Sequence, residues 1–271
     1  EYDAKYGTIW EICDLRDKKW NRDKILRLKQ SLEKLIHPNQ ENDVRNFKIE
    51  ITAEHELAVD KKIDDKRQRV NGPVENTIFE TLGIKTTQII TEISEDGQFI
   101  ITKLIDREVP IYQIKEKSTY PILSNIKFHL FYLNFAAKVN FTKLMGFDSV
   151  KYGGVFLYKN GFRVYPFGEV GEDSLGIDRR KQQGYARYLG TRELLGRIEI
   201  NGENNEFKET SSRDGGLVKT QGYLEMIECF KEKCLTRLEK YVVDVINWGT
   251  EDPDQDLSKL NERETKDKII S

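Results

Sequence analysis

Asn160-Gly161, set between the apolar runs Val155 to Tyr158 and Phe162 to Phe167, is the feature that most narrows what this chain can fold into. The dipeptide supplies the two positive-φ positions of a tight type I′ turn, so the flanking runs are predicted to form a β-hairpin. Leu195 to Ile200 alternates, with Ile198 and Ile200 on one face and Arg197 and Glu199 on the other, which reads as a half-buried strand. Upstream, QIITEIS and QFIITKLID flank Glu95-Asp96-Gly97 as a second hairpin, PIYQIKE follows as a third strand, and Ile126 to Leu133 is strand-like by its aromatic content. A shorter strand is expected over Phe47 to Ile51, and the charged stretch Asp60 to Arg69 reads as a solvated loop or helix face.

Helical spacing appears in three places. Asn21 caps a helix predicted over 22–36, with Ile25, Leu28, Leu32 and Leu35 on its inner face and His37-Pro38 as its stop. Phe141 to Met145 suggests a short helix ending at Gly146. From about Lys219 to Asn247 the residues Leu224, Ile227, Phe230, Cys234, Leu238, Tyr241, Val242 and Val245 mark a helix roughly 43 Å long at about 1.5 Å per residue. The expected fold class is therefore α+β, a mixed sheet covered by helices.

Composition excludes several classes. Lys plus Arg total 44 against 46 acidic residues, a net charge of −2, so the chain has no general attraction for nucleic acid or anionic membrane. No apolar run reaches the roughly 18 to 20 residues of a membrane span. The cysteines, Cys13, Cys229 and Cys234, are scattered, which points to a reducing, cytoplasmic setting and away from structural zinc. His37, His55 and His129 have no partner at ligand spacing, and Glu172-Asp173 reads as a solvated turn.

The order of elements, with the runs VFLYKNGFRVYPFGEVG and SSRDGGL followed by YLEMIECFKEKCLTRLEKYV, resembles the transducer domain of the GHKL or Bergerat-fold ATPases, the superfamily of gyrase B, the ninety-kilodalton heat-shock chaperones, MutL and MORC. The likeness covers roughly residues 120 to 247. It implies a ribosomal-protein-like βαβ unit, a long C-terminal helix, and a loop arginine that reaches the γ-phosphate of ATP, a role that falls on Arg213. Lys219 is the rival phosphate donor. The chaperone loop carries a glutamine four residues after its arginine, where this chain has Leu217. Gly7-Thr8, opening the strand pattern GTIWEICDL, resembles the pair at the last Bergerat strand, whose threonine helps bind adenine through water. The glutamate-and-asparagine helix and the DxGxG loop that hold magnesium and adenine are not in the sequence.

The expectation is thus a segment of a longer ATPase: residues 1–40 as the end of a nucleotide-binding domain, 41–118 as a β-rich insertion or linker, 119–249 as the transducer and 250–271 as a flexible tail. ATP and Mg2+ belong to the parent, whose nucleotide domain is the first partner and which could form a homodimer. For Arg213 the plain alternative is a surface arginine paired with Asp214 or Glu209. Two other classes stay open: a nucleic-acid module using Arg179, Arg180, Lys181, Arg187 and Arg192, and a non-catalytic partner-binding domain using the long helix.

Overall fold

A computed structural model describes residues 16, 19–36, 49–75, 86–145, 148–184, 187–210 and 215–246. They fall into two compact units, one within Glu1–Ile36 and Arg45–Glu75 and the other within His37–Val44 and Asn76–Ser271. Expectations for Gly7, Thr8, His37-Pro38, Gly146 and the 250–271 tail lie outside the described residues.

The second unit is an α+β fold. Strands β3 (Thr87–Ile93), β4 (Phe99–Asp106), β5 (Val109–Lys117), β6 (Ile126–Tyr132), β7 (Val155–Lys159), β8 (Phe162–Val164) and β9 (Leu194–Ile200) form one mixed sheet of order β5-β4-β3-β6-β9-β7-β8. Three strands of the 41–118 region, β3 to β5, thus continue the sheet of β6. β7 and β9 run parallel, and the other neighbours in this sheet are antiparallel. The hairpins form as the turn residues require: Asn160 and Gly161 have φ of 49° and 82°, the positive pair of a type I′ turn.

One face of the sheet is covered by the C-terminal helix, which runs as an α segment Gln221–Cys229, a π segment Phe230–Leu235, an α segment Thr236–Lys240 and a π segment Tyr241–Val245. Thr220 caps it, accepting from the Tyr223 amide at 3.2 Å. Ile89, Phe128, Leu157 and Ile198 of the sheet meet Met226, Phe230, Cys234 and Leu238 in the main core. The opposite face carries a second cluster in which Phe131, Phe156 and Leu195 pack with Phe141 and Tyr152 of helices α3 (Phe135–Met145) and α4 (Ser149–Tyr152).

Three readings of this unit need correction. β9 is buried on both faces, not half-buried, because Arg197 and Glu199 point into the covered second face and pair with each other. Helix α3 begins six residues before Phe141, where Asn134 Oδ1 accepts from the Ala137 amide at 2.8 Å and supplies the missing cap. In the long helix Leu224 and Val245 are exposed, and the inner seam is Met226, Phe230, Cys234, Leu238 and Val242. That seam repeats every four residues. On an α-helix of 3.6 residues per turn a period of four drifts by about 40° per step, and the wider π turns absorb the drift.

The first unit contains α1 (Arg22–Glu33), a two-residue pair β1 (Glu50–Ile51) and β2 (Gly72–Pro73), and the single turn α2 (Leu57–Asp60). Asn21 Oδ1 accepts from the Lys24 amide at 3.1 Å, the expected cap. The inner face of α1 is only partly the predicted one: Ile25 is buried as expected and Leu32 is half-buried, but Lys29 is buried too, while Leu28 and Leu35 are exposed. Nor is Asp60 solvated. It is buried and accepts from Arg22 at 2.7 Å, from the Val70 and Asn71 amides at 3.0 and 2.7 Å, and from Asn71 Nδ2 at 2.8 Å.

Candidate functional site

Where β7 and β9 begin, the chain makes a cleft of about 160 Å³ lined by Gly153, Gly154, Gly168, Glu169, Asp173 and Arg192 among others. Backbone contact builds it. A Cβ on Gly153 would lie 2.2 Å from the Gly168 carbonyl oxygen, and one on Gly168 would lie 2.6 Å from the Phe156 ring and 2.9 Å from the Val155 oxygen. Only glycine permits that approach, which lets the Gly154 amide donate to the Gly168 oxygen at 2.9 Å.

The carboxylates of this wall are engaged by their neighbours. Glu169 takes a 2.5 Å hydrogen bond from Arg163, whose guanidinium lies 4.7 Å over the Phe156 ring. Asp173 accepts from the amides of Asp178 and Arg179 at 3.0 and 2.9 Å, capping the short helix α5 (Ile177–Lys181). Asp178 accepts from the Thr191 amide and hydroxyl at 2.8 and 2.6 Å, so it ties α5 to the entry of β9. These groups shape the cleft, and among the described residues no cluster of histidines, cysteines and carboxylates could hold a metal ion.

Arg213 lies in 211–214, outside the described residues, but both ends of its loop are defined. Glu209 and Leu217 form an antiparallel bridge, the Thr210 amide donates to the Gly216 oxygen at 2.9 Å, and the Val218 amide to the Lys208 oxygen at 2.8 Å. Gly216 has φ of 64°, and a Cβ there would lie 2.9 Å from Phe167 Cε2. Phe167 immediately precedes Gly168, so the base of the loop sits beside the glycine contact that forms the cleft. Leu217 is a buried core residue at the end of that segment. Lys219 is exposed, one residue before the cap of the long helix.

The basic run is divided. Arg179, Arg187 and Arg192 are exposed, whereas Lys181 pairs with Glu193 at 2.7 Å and Arg180 pairs with buried Glu239, lies 3.1 Å from Thr236 Oγ1 and stacks 4.1 Å over Tyr188. Glu239 also accepts from the Leu189 amide at 3.0 Å. Burial raises the Glu239 carboxyl above its ordinary value, against the lowering pull of Arg180.

His129, which the sequence left without a role, is buried: its Nε2 lies 2.7 Å from Gln88 Oε1, its Nδ1 has no hydrogen-bond partner among the described residues, and burial first, then Arg197 and Lys127, hold its pKa well below the ordinary value. The signal was present in the even spacing of Lys127 and His129 on one strand and Arg197 and Glu199 on another, which puts all four on one sheet face. Comparison with known proteins returns no match: no protein-family model and no curated protein matches the chain.

Proposed function

We propose that this chain is the transducer part of a GHKL-type ATPase, and that Arg213 senses the γ-phosphate of ATP and couples its presence to a conformational change. The observation that carries this reading is the anchoring of the 208–218 segment. A bridge at its base, a glycine packed on Phe167 and a buried Leu217 hold both ends of a short loop that contains an arginine. A guanidinium that reaches the nucleotide gains a charge-assisted hydrogen bond only while the terminal phosphate is present, so closure of the parent protein would follow nucleotide state. Magnesium and adenine would be held by the parent's nucleotide-binding domain, to which Gly7 and Thr8 would contribute. No step of this chain's own is routed through them.

The pairing of Arg180 with Glu239 and of Lys181 with Glu193 weighs against the nucleic-acid alternative, because both cations are already neutralised inside the fold. Among the described residues no helix is long and apolar enough to cross a membrane. The buried free thiols of Cys229 and Cys234 support the cytoplasmic setting that goes with the reading.

The test is turnover in the full-length parent. Arg213→Ala should leave folding intact and lower ATP hydrolysis by on the order of ten- to a thousandfold, the range for losing one charged stabiliser of phosphoryl transfer. Arg213→Lys should recover part of it, and Lys219→Ala should cost little. A large loss in Lys219→Ala with near-normal Arg213→Ala moves the role to the lysine, and normal turnover in both sinks the phosphate-sensor reading.

A further inference from the structure

The end of the C-terminal helix has two adjacent β-branched residues, one packed on the core and one exposed. In its last π segment the Ile246 amide donates to the Tyr241 oxygen at 3.2 Å, an i to i+5 bond, and Ile246 packs against the main core while its neighbour Val245 is exposed. In an α register the donor to that same oxygen is the residue four along, Val245, and 100° per residue sets Val245 about 20° from the direction of Leu238. Both side chains are β-branched and close in size, so either can cover the same patch of core.

The turn before this segment, Thr236–Lys240, is gripped from two sides. Arg237 donates to Thr102 of β4 at 2.9 Å and to Glu116 of β5 at 2.5 Å. Glu239 holds Arg180 and the Leu189 amide, both in the stretch that connects the cleft wall to β9. A π turn flanking a clamped α turn holds one residue more than the α-helix needs, and that surplus moves along a helix by local exchange of hydrogen bonds.

We propose that the segment from Tyr241 to Ile246 is a two-register switch. Ile246 is seated when the turn is π, Val245 is seated when it is α, and the Arg180 to Glu239 clamp selects the π register. A change of register turns the helix end by about 100° and moves it by about 1.5 Å. Movement of the α5 stretch at the cleft would thereby reach the helix end through Glu239. This device stands independently of the ATPase reading, because no nucleotide enters the argument.

The experiment is a double-mutant cycle in the full chain, read by thermal denaturation of the sheet unit. With two registers available, Val245→Asp and Ile246→Asp each leave one seat filled and should lower the midpoint by under about 2 °C, while the double variant should lose more than about 8 °C. Repeating the cycle with Arg180→Leu should raise the cost of Val245→Asp above that of Ile246→Asp, because the α register then prevails. Deleting exposed Asp244 removes the surplus residue; that variant should keep the parent's midpoint within about 2 °C and make substitution of the residue left in the seat costly by itself. Additive single effects, with the whole loss on Ile246 in both backgrounds, overturn the proposal, and so does a deletion variant whose midpoint falls by more than about 8 °C.

Discussion

In the sheet unit the interior is a continuous apolar layer from Ile89 and Phe128 on the strands to Phe230 and Leu238 on the helix, with the Phe128 and Phe230 ring centroids 5.8 Å apart. The N-terminal unit has Ile25, Ala53 and Val70 at its centre and beside them a carboxylate, Asp60, bound by Arg22, Asn71 and two backbone amides. Area-proportional burial stabilises the first and tolerates changes of shape; directional bonds stabilise the second, and each bond there depends on the others being made. A sheet with a helix across it presents enough apolar surface to exclude water. A unit with two-residue strands does not, and it closes around a buried charge instead.

The largest expected effect breaks the apolar side of this comparison. Leu238→Asp buries an unpaired carboxylate at a fully covered position and should remove the cooperative melting of the sheet unit, a loss of roughly 4 kcal/mol or more. Ile227→Asp, at a partly buried position, should cost less than half as much. Equal melting curves for the two would mean that the four-residue seam is not what faces the sheet.

Next is the polar side. Asp60→Ala leaves the Val70 and Asn71 amides without their acceptor and leaves Arg22 only Glu56 and the Gln68 carbonyl, and should destabilise the N-terminal unit by roughly 3 kcal/mol, read as loss of amide-exchange protection in α1. Protection in β6 and β9 should be unchanged in the same sample. Burial alone would raise the Asp60 carboxyl, but the Asn71 and Val70 amides, the Asn71 side chain and Arg22 together hold it well below the usual range. Its contribution is therefore present above the ordinary carboxylate pKa and is lost as pH falls below it.

The smallest effect sharpens the contrast by its opposite sign. Burial raises the Glu33 carboxyl from 4.5 to about 7, against the lowering influence of Lys29 and Arg67. The folded chain holds that proton more tightly than the unfolded chain, so stability falls as pH rises from 4.5 through 7. Glu33→Gln should flatten the dependence, measured as the denaturation midpoint of the N-terminal unit at pH 5 and pH 8. An unchanged slope would place Glu33 in solvent.

Where local rules suffice, the chain could be read directly. Asn160-Gly161 marks its hairpin because few other residues accept both positive φ values, Asn21 marks its helix because its side chain meets a first-turn amide, and the runs at 88–106 pair as their alternation requires. Reading was incomplete where one residue serves a distant one. The basic run from Arg179 to Arg192 carries charge in sequence, but only the fold brings Glu239 to Arg180 across 59 positions. Gly153 and Gly168 look like ordinary turn glycines until their backbones meet. Leu217 stands out in the sequence only as a departure from the resemblance; its burial in the main core is a tertiary fact.

By itself the amino-acid order determined the hairpins, the caps and the α+β class, because backbone sterics and first-turn hydrogen bonds act within a few residues. Only the tertiary structure decided which face of each element is inside. Burial depends on what arrives from elsewhere in the chain, so Lys29 went in while Leu28 stayed out, and a four-residue seam drew the long helix into π turns that no helix propensity favours.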